Sequence, residues 1–133
     1  MGYDAHITRA EFWSDNAGHE IAAAEWQAVV DADPELEPWP EQGPHFVRWR
    51  GSSTLPDPWL DWRDGDVYTK NPDPALLAKC CALAARLGAR VQGDDGEEYE
   101  LGPDGSARQV GEPAPAASAA TGDARPWWRR LLG

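Results

Sequence analysis

Two alternating runs meet at an Asp-Gly pair in the middle of the chain: Trp59-Leu60-Asp61-Trp62-Arg63, then Asp64-Gly65, then Asp66-Val67-Tyr68-Thr69-Lys70. A two-residue turn of this kind needs positive φ at both central positions, which Asp and Gly tolerate. The segment therefore reads as a β-hairpin. Asn71-Pro72-Asp73-Pro74 follows and opens a helix. Asp73 is placed to accept from first-turn amides, and Pro74 occupies the first helical position, where its missing N–H costs nothing. Leu76, Cys80, Leu83, Ala84 and Leu87 recur at helical spacing, with Leu77 and Cys81 beside them, and Gly88 ends the run. A hairpin feeding a one-sided apolar helix calls for a sheet with helices on one face.

The remaining segments extend that pattern. Tyr3 to Arg9 alternates as a half-buried strand does. Glu11 to His19 reads as a loop holding Phe12 and Trp13. Glu20 to Ala32 reads as a helix, stopped by Asp33-Pro34 because the residue before proline is pushed out of helical geometry. Four prolines in residues 34–45 read as an irregular loop, and Phe46 to Arg50 as a strand. Ala89–Gln92 and Glu97–Leu101 read as a closing hairpin around Asp94-Asp95-Gly96, and 102–105 as a turn. The expected order is β-α-β-β-β-α-β-β: an α+β fold, a mainly antiparallel sheet with two helices packed on one face.

The chain changes character near residue 113. Residues 113–126 form a Pro/Ala-rich run that has nothing to bury, so a flexible linker is expected there. Residues 127–133 end in Trp127-Trp128-Arg129-Arg130-Leu131-Leu132. The expected division is a domain over 1–112, a linker over 113–126 and a terminal motif over 127–133. Residues 1–112 carry nine Lys and Arg against 22 Asp and Glu, a net −13. Such a domain repels nucleic acid, which needs clustered cations. It attracts a basic partner at long range. Cys80 and Cys81 are adjacent, so they read as reduced core thiols and not as a disulfide framework. Neither a signal peptide nor an apolar stretch of spanning length is legible. A cytoplasmic protein is expected, with contact to the inner membrane surface through the tail as the alternative.

No reaction is spelled out in the chain. His6-Ile7-Thr8 has the look of one His-x-Thr element of a 2H phosphoesterase, but neither His19 nor His45 begins a second. Asp4 and His6 share a strand face, and Asp61 could join them across a sheet, which makes these three the weak catalytic candidates. No His-x-x-x-His or Cys-x-x-Cys pair appears, and Asp94 to Glu98 lacks the ligand pattern of a calcium loop. Glycine-rich phosphate loops and nucleophile elbows are also missing from the sequence. No cofactor and no metal are expected.

The tryptophans point elsewhere. Six lie within 1–112: Trp13, Trp26, Trp39, Trp49, Trp59 and Trp62. Trp59 and Trp62 fall on opposite strand faces, so one helical layer cannot bury both. Trp and Arg are enriched at binding hot spots. The expected partner surface is Trp39, Trp49, Trp59 and Trp62 with Glu35, Glu37 and Glu41. The tail motif, Trp127 to Leu132, reads as a weak interfacial anchor, a docking peptide or an inert terminus.

Tyr3-Asp4-x-His6-Ile7-Thr8-Arg9, Trp59-Leu60-Asp61-Trp62, Val67-Tyr68-Thr69-Lys70-Asn71-Pro72-Asp73 and Val91 to Glu97 together resemble a family of small uncharacterised bacterial proteins. The resemblance covers residues 2 to about 102. It implies a bacterial source and a recurring domain, and brings no activity with it. The expected function is a non-enzymatic acidic protein-binding module, of the immunity or inhibitor kind, with an unidentified protein partner. A tail-anchored peripheral membrane protein is the first alternative. A small enzyme built on Asp4, His6 and Asp61 is the second.

Overall fold

The Asp64-Gly65 turn forms with φ of 54° and 90°, joining β4 (Trp59–Arg63) to β5 (Asp66–Lys70). These coordinates come from a computed structural model, which describes residues 4–110. The other elements are β1 (Asp4–Thr8), α1 (Ala23–Ala32), β2 (Leu36–Pro38), β3 (Phe46–Trp49), α2 (Pro74–Leu87), β6 (Arg90–Gln92), β7 (Glu98–Leu101) and β8 (Ala107–Gln109). The eight strands make one sheet in the order β2-β3-β4-β5-β1-β6-β7-β8, antiparallel throughout. The fold is α+β, as expected. The linker 113–126 and the tail residues Trp127 to Leu132 lie outside the described residues.

The two ends of α2 follow the sequence. Asp73 accepts from the Leu76 amide at 2.9 Å, and Gly88 turns the chain at φ 63°, ψ 37°. Leu76, Leu77, Cys80, Cys81, Leu83, Ala84 and Leu87 are buried. α2 covers β1, β6, β7 and β8, while α1 packs against α2 and β2. Between helices and sheet lies one core, in which Trp26, Ile7, Ile21, Leu60 and Leu83 are fully buried. Trp26 satisfies its indole N–H on the His45 carbonyl at 3.0 Å.

α1 starts three residues later than the sequence suggests. Ile21 is held extended by donating to the Gly65 carbonyl at 2.8 Å, so its side chain enters the core before the helix begins. Ala22 has no side-chain acceptor. Glu25 substitutes by accepting from the Ala22 amide at 2.9 Å. Arg9 then grips Glu25 with two bonds of 2.9 Å and reaches the Leu87 carbonyl at 2.8 Å, tying the start of α1 to the end of α2.

Two strands were not expected. β2 forms inside the proline-rich segment because an edge strand needs only one side of its ladder, so Pro38 is tolerated at its end. Its Leu36 is buried against the core opposite Trp49. β8 pairs with β7 after the 102–105 turn, with Arg108 bound to Glu100 at 2.9 Å. Both edges of the sheet are thus three-residue strands carrying charge, which discourages further pairing. No described helix is long and apolar enough to cross a membrane.

Candidate functional site

Side chains along a strand alternate between faces, so the register assigns each one. Ala5, Ile7, Val47, Leu60, Val67 and Val91 turn toward the helices. The pairs Arg48–Trp59, Phe46–Asp61, Asp61–Tyr68, Tyr68–His6 and His6–Gln92 share the opposite, helix-free face. Aromatic rings cross half of that face in an unbroken row. Trp39 meets Phe46 edge-on at 5.7 Å, Phe46 stacks on Trp59 at 4.9 Å, and Trp59 meets Tyr68 edge-on at 5.5 Å. All four are only half-buried. Arg48 caps one end, 4.1 Å above the Trp39 ring, and Arg63 covers Tyr68 at 5.5 Å.

Local bonds explain why the row holds together. The Trp39 amide donates to the Phe46 carbonyl at 2.9 Å, extending the β2–β3 ladder by one pair and setting those rings side by side. At one end the row opens into a cleft of about 380 Å³, walled by Leu55 and Pro56 and floored by Phe46 and Trp59. Asp73 fixes that wall by accepting from the Thr54 amide at 2.7 Å and its hydroxyl at 3.0 Å. The same carboxylate caps α2, so helix and cleft wall share one anchor.

Asp61 sits inside the row, opposite Phe46 on one side and Tyr68 on the other, and is 9 % exposed. Burial pushes its carboxyl above the usual carboxylate range, against the pull of Arg63 and His45. Its nearest cation among the described residues is Arg63, at 3.9 Å. The face therefore has a poorly neutralised anion among aromatic rings.

Charge elsewhere adds to this field. Residues 4–110 contain nine Lys and Arg against 21 Asp and Glu. Each of the nine cations lies within 3.9 Å of a carboxylate. Exposed acids such as Glu11, Asp15, Glu20, Glu41, Asp64 and Asp95 are left without a described cation beside them.

The sequence-derived surface is partly redistributed. Trp39 and Trp59 lie together on the helix-free face. Trp49 does not: it is 7 % exposed in the core, because its strand position faces the helices, and it donates to Glu35 at 2.9 Å. Trp62 also faces inward, half-buried, donating to the Ile21 carbonyl at 2.8 Å. Glu35 is held by Lys79 at 2.9 Å and Glu37 by Arg50 at 3.0 Å, while Glu41 is exposed. Phe46, Tyr68 and Arg48 complete the row, brought beside the expected Trp39 and Trp59 by the strand register.

The three catalytic candidates do not form one set: Asp4 and His6 stay together on β1, and Asp61 is parted from them. β5 runs between β4 and β1, so Tyr68 stands between Asp61 and His6. His6 instead bonds Asp94, 88 residues away, at 3.0 Å. Trp13 lies flat on the His6 ring at 3.8 Å and 2°. No spacing in the sequence signals either contact. Cys80 and Cys81 are buried free thiols; burial raises both, Cys81 to about 11, so neither is an activated nucleophile.

Comparison with protein-family models, with curated proteins and with solved structures found no match. The resemblance noted above rests on its motifs alone, and the functional reading rests on this face.

Proposed function

We propose that the chain is a protein-binding module, of the immunity or inhibitor kind, that engages a basic partner through the helix-free face of its sheet. The observation that carries this reading is the half-buried aromatic row with the carboxylate of Asp61 at its centre. A half-buried aromatic surface supplies contact area at low entropic cost, and a cation from the partner neutralises Asp61. The cleft beside Trp59 accepts one projecting side chain. The surplus of exposed acids speeds encounter with a basic protein.

The test is capture of a stoichiometric partner by the full chain, followed by affinity measurement on variants. Trp59→Ala removes a central ring, and a hot-spot loss of about 2 kcal/mol or more corresponds to roughly 30-fold weaker binding. Asp61→Asn is expected to weaken the complex and flatten its salt dependence. A complex unaffected by both substitutions overturns the assignment.

A further inference from the structure

His6 and its neighbours lie beyond the aromatic row and are not needed by the binding reading. The geometry points to a divalent transition-metal site at Asp4, His6 and Asp94, suited to an ion of the zinc type. Each residue offers one ligand atom, and the three atoms lie within 4.8 Å of one another. His6 Nε2 and Asp94 Oδ1 are already 3.0 Å apart. Ligand atoms about 2.0–2.2 Å from a tetrahedral ion stand about 3.3–3.6 Å from each other, so small carboxylate rotations close the set. Those rotations are available because the Asp4 and Asp94 side chains are 29 % and 48 % exposed.

The imidazole, by contrast, is fixed. His6 is 6 % exposed and clamped under Trp13. Trp13 is itself held by two hydrogen bonds, and the acceptor of one of them, Gln92, is anchored in turn. Its amide donates to Gln92 at 2.8 Å, its indole N–H donates to the Asp94 carbonyl at 3.1 Å, and Gln92 donates to the Glu11 carbonyl at 2.6 Å. The Asp4 amide also donates to Asp94 Oδ2 at 3.3 Å, turning Oδ1 toward the ring. One imidazole with two carboxylates is a mixed nitrogen and oxygen set, which favours zinc-type ions over magnesium or calcium. Three protein ligands leave a fourth position for water or a ligand from outside. The nearby Lys70 ammonium, 3.5 Å from Asp4 Oδ2, competes with the ion for that carboxylate.

The competition makes the proposal separable from a mere hydrogen-bonded cluster. Untagged full-length chain, stripped with chelator, is titrated calorimetrically with zinc chloride, with magnesium and calcium chloride as parallel arms. One zinc per chain is expected, bound at micromolar or lower concentration. Asp94→Asn, which is exposed and keeps its shape, is expected to weaken zinc at least ten-fold, as is His6→Ala. Lys70→Met is expected to strengthen it by removing the competing charge. Circular dichroism confirms that each variant is folded; if His6→Ala is not, Asp94→Asn decides. Three results each overturn the site: no zinc uptake below about 100 µM, uptake unchanged in Asp94→Asn, or preference for magnesium or calcium.

Discussion

Lys79 provides the most quantitative check on how this fold is held. Its ammonium lies between Asp33 at 2.7 Å and Glu35 at 2.9 Å, with its side chain 14 % exposed and that of Asp33 only 7 %. Arg86 is a second, longer contact to Asp33 at 3.3 Å. Lys79→Met keeps the aliphatic stem and removes the charge. Stripping one partner from a buried pair costs about 3–5 kcal/mol. Arg86 remains and Glu35 is half-exposed, so a loss of about 2–3 kcal/mol is expected at pH 7. Burial alone raises the Asp33 carboxyl, but the bonds from Lys79 and the Glu35 amide bring it below its ordinary value. A depressed carboxylate contributes stability that is present above its unfolded pKa, about 3.9, and lost as pH falls through the folded value. Burial lowers Lys79, and its two carboxylate bonds outweigh that and raise it, so its share is lost only at high pH. Urea unfolding followed by tryptophan fluorescence measures the difference. The midpoint is expected to fall by about 2 M at pH 7, and the gap to the parent chain is expected to shrink at pH 3. A gap below about 0.5 kcal/mol at pH 7, or one unchanged at pH 3, refutes the reasoning.

Three further outcomes follow from single residues. Gly88→Ala is expected to cost about 1–2 kcal/mol in the same urea unfolding, because a Cβ there meets no neighbour and the whole cost is the left-handed backbone at φ 63°; Gly88→Asn should cost less. Asp66 is buried with one carboxylate oxygen unpaired, and burial raises its carboxyl despite bonds from Thr8 and Asn16. A raised carboxyl penalises the folded state when ionised, so Asp66→Asn should match or exceed the parent stability at pH 7 and lose any advantage below about pH 4; marked destabilisation at pH 7 contradicts this. Cys80 and Cys81 should react with an aromatic disulfide reagent only in denaturant, given burial and a Cys81 thiol near 11; rapid labelling of the native chain contradicts it.

How much of this was legible in the chain depends on the range of the forces involved. The β4–β5 hairpin and α2 were readable because Asp64-Gly65, Asp73-Pro74 and Gly88 each act within a few residues. The start of α1 is not legible locally because a hydrogen bond to Gly65, 44 positions away from Ile21, holds the chain extended. β2 was hidden because prolines read as irregular, although an edge strand tolerates them. The burial of Trp49 depends on the register that sets it opposite Leu36, which its neighbours in sequence do not reveal. Most remote of all is Asp94, which reads locally as a charged hairpin tip and yet meets His6. Local propensity carries elements, whereas a site assembled from separate strands and loops is set by tertiary pairing.

The most direct test of the binding surface is radical footprinting of side chains in the captured complex against the free chain. Protection of Trp39, Phe46, Trp59 and Tyr68, with exposed residues of α1 unchanged, is the expected result. Protection confined to α1 or α2, or to Trp127 and Trp128 with the aromatic row still reactive, contradicts the assignment of the helix-free face.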